Sequence, residues 1–347
     1  MSSLPVPSLR VASVPLRSCR GEAAQNAARI AGWLALAARD EIGLVVFPET
    51  CLAGYGSLAK LHRDELESLA EPLDGPTLGA VADAVERTGV AAGVGMIERA
   101  ADGRLFNSYV VCMPGGIRHC HRKLHAFEHR RIVSGDRFTV FDTGWGVRIG
   151  ILIGGDTYLI ENVRMTALMG ATLLVAPHRS YAAQRGGGRA MQPVSAEQWA
   201  HRPVSAEKAG RAAIAAVGAT AGLPVGYDSA DWLRAWLPAR AADNGMFAIL
   251  SDGVDTVDNE AAPGTGMIVD PCGAILAEGA GANGALVAAS LDPRLVGASA
   301  GRQWLKARRP DLYAPLGQTD PQATSFEPRA ISSHGAIALS FAQVRRR

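Results

Sequence analysis

Gly43-Leu44-Val45-Val46-Phe47-Pro48-Glu49-Thr50 is the stretch from which the fold is read. Leu44 to Phe47 is continuously apolar and mostly β-branched or aromatic, the pattern of a strand buried on both faces. Pro48 ends that strand because it has no N–H for the ladder. Glu49 then stands just past a central strand end, where open α/β sheets place their ligands. A carboxylate there, over dry protein, is a candidate general base whose pKa burial would raise. Taken alone, Glu49 reads as well as an acidic loop residue in water, so the rest of the chain decides.

The chain has 347 residues, 48% of them hydrophobic, with a formal net charge of +2. That suffices for one large α/β domain or two ordinary ones. The only basic run is Arg345-Arg346-Arg347, which argues against nucleic acid as a partner. The N-terminal residues carry no apolar signal core, and no apolar run reaches the length of a membrane span, so no membrane partner is expected. Five cysteines, an odd number without CxxC spacing, fit a reducing compartment rather than a disulfide framework or a zinc site. The expectation is a cytoplasmic protein.

Outward from Glu49, the opening is β-α-β: a strand over Leu9 to Val14, a helix within Gly21 to Asp40, and the strand ending at Phe47. Pro76 opens a helix that Gly89 ends. Strands follow at Val90 to Ile97 and Phe106 to Met113, around the turn Ala101-Asp102-Gly103-Arg104. The polar segment from His121 to Arg131 reads either as a solvated basic loop or as a lysine carried off a strand end into a cleft. A second strand-turn-helix-strand unit runs from Trp145 through Gly154-Gly155-Asp156 to Pro177-His178. From Arg179 to Asp231 the pattern degrades. A short helix opened by Pro238 is then expected, followed by strands ending at Leu250, Val269, Glu278 and Leu291 and a helix over Arg302 to Arg309.

Three pieces fall in order: Phe47-Pro48-Glu49, Arg122-Lys123-Leu124-His125, and Gly150-Ile151-Leu152-Ile153 entering a tight turn with Asp156. With Ala239-Arg240-Ala241-Ala242-Asp243-Asn244-Gly245, Gly264-Thr265-Gly266-Met267-Ile268-Val269-Asp270-Pro271 and Arg309-Pro310-Asp311-Leu312-Tyr313, the chain resembles the nitrilase superfamily, the carbon–nitrogen hydrolases. The resemblance implies an α/β fold, a four-layer α-β-β-α sandwich, over 9–292. A long insertion lies near 179–231, and 293–347 form a C-terminal extension and tail. It also implies a homodimer or higher homo-oligomer and calls for no cofactor or metal.

The chemistry it implies is hydrolysis of a small-molecule amide or nitrile. In the family a glutamate is the base, a lysine stabilises the oxyanion and a cysteine attacks. Glu49 matches the base and Lys123 the lysine. The cysteine position is held by Gly154, which has no side chain and forms no thioester. Cys51, two residues past Glu49, reads as a small loop residue rather than a replacement. Glu128 is the one carboxylate placed to match the family's additional glutamate. Tyr55, Asp156, Thr157 and His178 are expected to contact substrate, and the insertion is expected to set selectivity. The chain is therefore expected to be a carbon–nitrogen hydrolase by family with little or no turnover by the cysteine route. Two alternatives stand beside it: a ligand- or partner-binding protein without catalysis, or a Glu–Lys enzyme without a covalent intermediate.

Overall fold

The computed structural model describes residues 9–54, 58–179, 229–257, 260–262, 264–280 and 286–317. Contacts divide the chain into two units, Met1–Lys306 and Ala307–Arg347. In the smaller unit two short turns, Pro310–Leu312 and Ala314–Gly317, follow an Arg309–Asp311 ion pair at 2.6 Å.

The larger unit begins with β1 (Leu9–Ser13), α1 (Ala23–Arg39), β2 (Leu44–Val46), α2 (Arg63–Ser68), β3 (Ala70–Glu71), α3 (Pro76–Thr88), β4 (Ala91–Arg99), β5 (Leu105–Met113) and β6 (Ile117–Arg122). It continues with β7 (Thr139–Asp142), β8 (Arg148–Ile151), α4 (Ile160–Leu168), β9 (Leu173–His178), α5 (Ser229–Asn244), β10 (Phe247–Asp252), β11 (Asp255–Val257), β12 (Glu260–Ala262), β13 (Thr265–Val269), β14 (Ile275–Ala280), β15 (Val287–Leu291), α6 (Arg294–Ala298) and α7 (Ala300–Lys306). One sheet has the order β15-β1-β2-β4-β5-β6, with β3 beside β4; the other has the order β14-β13-β10-β9-β8-β7.

Each sheet is apolar on both faces, so each must be covered twice. The two inner faces bury Val11, Leu44, Val46 and Val111 of the first sheet with Ile149, Ile151, Val175 and Ile249 of the second. The outer face of the first sheet packs Val45, Phe47 and Val94 against Ile30 and Leu34 of α1 and Leu78, Val81 and Val85 of α3. The outer face of the second packs Leu174, Ala248 and Val269 against Val163 of α4 and Leu233, Leu237 and Ala241 of α5. The result is the α-β-β-α sandwich.

Two local expectations change. The helix expected to open at Pro238 runs from Ser229, with Pro238 inside it. Burial of Leu233, Trp236 and Leu237 against the sheet outweighs the lost proline N–H. The last helix ends at Lys306 rather than Arg309. The insertion lies almost wholly outside the described residues.

The turn that presents Glu49 lies flat on β4. Thr50 takes φ +50°, a left-handed conformation unusual for a β-branched residue. Leu52 donates to the Gly95 carbonyl at 2.9 Å. A Cβ on Gly95 would stand 2.2 Å from the Thr50 nitrogen and 2.8 Å from the Glu49 carbonyl carbon, so only glycine fits beneath the turn. Gly95→Ala is expected to lower unfolding stability by about 1–3 kcal/mol, read by denaturant titration. An unchanged midpoint would contradict this packing.

Candidate active site

Strand ends from both sheets converge on one buried polar cluster. Glu49 follows β2, and Lys123 follows β6 directly, its N–H bonded to the Asn107 carbonyl at 2.8 Å. Glu49, Lys123 and Glu128 are each less than a tenth exposed. The Lys123 ammonium donates to Glu49 Oε1 at 2.8 Å and also to Glu128 Oε1. Asn107, on β5, donates through Nδ2 to the same two oxygens, at 2.7 Å to Glu49 and 2.9 Å to Glu128. Burial works to lower the Lys123 pKa, but the two carboxylates outweigh it and hold the group above the usual lysine value. Lys123 is therefore an ammonium throughout the physiological range.

Gly154 lies over this cluster. It begins a tight 3₁₀ turn, Gly154–Tyr158, with φ +51°. A side chain at this position would leave the backbone straight toward the cluster. Its Cβ would be 2.7 Å from Glu49 Oε2 and 3.2 Å from Lys123 Nζ.

The turn is braced from below. Asp156, fully buried, accepts from the Leu124 N–H at 2.8 Å on one oxygen and from the His125 N–H at 2.9 Å on the other. It thereby ties the Gly154 turn to the backbone just after Lys123. Thr157 donates to the Gly154 carbonyl at 2.7 Å and lies 3.2 Å from His178 Nε2. The His178 carbonyl accepts the Glu49 N–H at 3.3 Å. Burial pushes His178 down to about 4, so its ring is neutral near pH 7. Its ring packs with those of Tyr158 and Trp236, at centroid distances of 5.9 and 5.6 Å.

The structure thus brings together Glu49, Lys123, Glu128, Gly154, Asp156, Thr157 and His178 from the sequence reading. Tyr55 lies outside the described residues. Asp156 and Thr157, expected as substrate contacts, have their polar side-chain atoms engaged with protein groups. Asn107 went unread, although an Asn-Ser pair inside the apolar strand Leu105–Met113 is a signal, since a buried amide needs partners. Cys51 sits in the core behind the sheet, its sulfur 3.4 Å from the Gly95 nitrogen, and burial pushes its thiol up to about 12. It is neither near Gly154 nor able to ionise at neutral pH.

Burial pushes Asp156 up to about 7, against the pull of the Leu124 and His125 N–H groups and of Lys123. A carboxyl raised on folding binds a proton that the unfolded chain has released, so stability falls as pH rises toward that value. Measured against Asp156→Asn, which does not titrate, the native chain is expected to lose unfolding free energy from about pH 4 to about pH 7. A pH-independent difference in denaturant titrations would contradict this.

A family model for carbon–nitrogen hydrolases matches residues 10–222. An (R)-stereoselective amidase from a Pseudomonas species is 37% identical over 170 residues, which cover 48% of this chain and 59% of that protein. The chain spans about half the length of the curated relatives it matches. Among solved structures, a carbon–nitrogen hydrolase from Helicobacter pylori G27 matches with a TM-score of 0.70 at 18% identity, covering 90% of this chain and 99% of that one. A variant of the amidase from Nesterenkonia sp. AN1 matches with a TM-score of 0.63 at 17% identity, covering 89% of this chain and 99% of that one. In that structure acrylamide has added to the amidase's active-site cysteine. At these identities the solved structures speak for the fold. With the family match extending over more than half of its length, the chain belongs to the carbon–nitrogen hydrolase family.

Proposed function

We propose that this chain has kept the amidase-type site but lacks its covalent step. It holds a small amide or nitrile over Glu49, Lys123 and Glu128 and forms no thioester. The observation that carries this reading is the direction of the absent side chain at Gly154, whose Cβ would stand 2.7 Å from Glu49 Oε2 and 3.2 Å from Lys123 Nζ. That is where a nucleophile needs its base and its oxyanion partner. With glycine there, Glu49 has no thiol to deprotonate, and the one cysteine near it in sequence is walled off in the core.

The remaining groups take supporting roles. Lys123 is the hydrogen-bond donor for the ligand's carbonyl or nitrile. Glu128 and Asn107 hold that ammonium in place, and Glu128 Oε2, buried without a partner among the described residues, is an acceptor for an amide N–H. Asp156, Thr157 and His178 act on the ligand through the turn they brace. Tyr55 and the insertion supply further contacts. The apolar outer face of α4, with Ile160 and Met165 exposed, supports self-association into a homo-oligomer. Five free cysteines suit a reducing, cytoplasmic setting.

Ammonia release from a panel of small amides and nitriles tests the reading. The native chain is expected to show none. Gly154→Cys is expected to gain turnover that a thiol-alkylating reagent abolishes. A side chain there meets a left-handed φ, a cost of about 1–2 kcal/mol, and requires the Glu49 carboxylate to shift and the Lys123 ammonium to give by a few tenths of an ångström. Turnover by the native chain that Glu49→Gln removes would overturn the reading in favour of direct attack by water. A folded Gly154→Cys protein that stays inert, with no amide raising the melting temperature of either form, would overturn the assignment of the site itself.

A further inference from the structure

A second site stands apart from the buried cluster. An open cleft of about 500 Å³ is lined by Arg63, Glu67, Arg104, Arg130 and Arg131, with Leu105 and Val133 at its base. This volume lies within the range of small-molecule sites. The base is fixed: Val133 donates to the Leu105 carbonyl at 2.8 Å, and Ile132 donates to the His129 carbonyl at 2.9 Å. His129 is held in turn to the Leu61 carbonyl at 3.2 Å through Nε2 and accepts the Arg131 N–H at 3.1 Å.

The charges do not cancel. Arg63 is paired with Glu67 at 2.6 Å and Arg104 with Asp102 at 2.7 Å. Asp64 adds its field to Arg63. Neither Arg130 nor Arg131 makes a side-chain ion pair or hydrogen bond among the described residues. Arg99 reaches the same place, donating to the Glu67 carbonyl, and Glu67 is held below its usual value chiefly by the hydrogen bond from Arg63, with smaller contributions from the fields of Arg131 and Arg99. Arg130 and Arg131 therefore leave the cleft with an excess of positive charge even with Glu67 in its lining, and on a concave surface such fields add.

We propose that this cleft binds a small oxyanion carrying two charges, of the phosphate-monoester class, with Arg130 and Arg131 as its principal donors. Two forks on neighbouring residues suit a centre that presents several acceptor oxygens. Isolated surface arginines are worth little in water, but here both lie in one recess, and its one lining carboxylate, Glu67, is already paired with Arg63 at 2.6 Å. The cleft also backs onto the loop whose inner residue, Glu128, holds Lys123. The inference does not rest on the reading of Gly154.

The test is calorimetric titration of the full chain with inorganic phosphate at neutral pH, against chloride at matched ionic strength. Saturable phosphate binding is expected. Arg131→Gln is expected to weaken it at least tenfold, and Arg130→Gln with Arg131→Gln to abolish it. Both residues are exposed, so circular dichroism and melting temperature should hold. Should the double variant fail to fold, Arg63→Gln provides the second test, with a several-fold loss expected. A non-saturating response equal to that of chloride would overturn the proposal. So would phosphate binding that survives the arginine changes, or a response to polyglutamate alone, which would make the cleft a surface for acidic macromolecules.

Discussion

The Lys123 ammonium, held between two carboxylates in the protein interior, is the interaction on which the rest depends. An unpaired buried charge is costly, and removing one partner of a buried pair leaves the other uncompensated. The fold therefore over-determines this cluster. Glu49 comes from the end of β2, Lys123 from the end of β6, and Asn107 from between them on β5. Asn107 lets two like charges share one cation, because its amide donates to the same oxygens that the ammonium meets. Gly95 permits the Glu49 turn to lie against the sheet, and Asp156 locks the backbone after Lys123 to the second sheet's turn.

That arrangement gives the glycine at 154 its meaning. The turn keeps a left-handed φ and still directs its missing side chain at the base and the cation. On the proposed reading, the electrostatic part of an acyl-transfer site is kept here and its covalent part is lost. His178 does not replace it: its neutral ring faces Thr157 and is boxed by Tyr158 and Trp236. The acid, the ammonium and the amide donor remain a polar floor able to recognise a carbonyl and an N–H together.

Much of this was legible in the chain. Strand β2 declared itself through a buried apolar run stopped by Pro48, and Glu49 followed from that stop. Lys123 was ambiguous, since it sits in a run of histidines and arginines that reads equally as a solvated loop; only the order of motifs separated the two. What composition could not show was pairing. Asn107 stood out only as a polar residue in an apolar strand, and nothing in the chain named the two carboxylates it joins. Asp156 was expected to contact substrate, and the chain gave no sign of the two backbone N–H groups its oxygens accept from. The start of α5 was misplaced because proline reads as a helix opener, whereas the burial of Leu233 and Trp236 carries the helix through it.

The energetic coupling between Glu49 and Lys123 tests the central claim most directly. Unfolding free energies of the native chain, Glu49→Gln, Lys123→Met and the double variant form a closed cycle. A buried, hydrogen-bonded pair predicts a coupling of about 1–3 kcal/mol, with the double variant less damaged than the sum of the singles. Additivity within about 0.5 kcal/mol would mean that the two side chains do not meet, and the site described around Gly154 would fall with them.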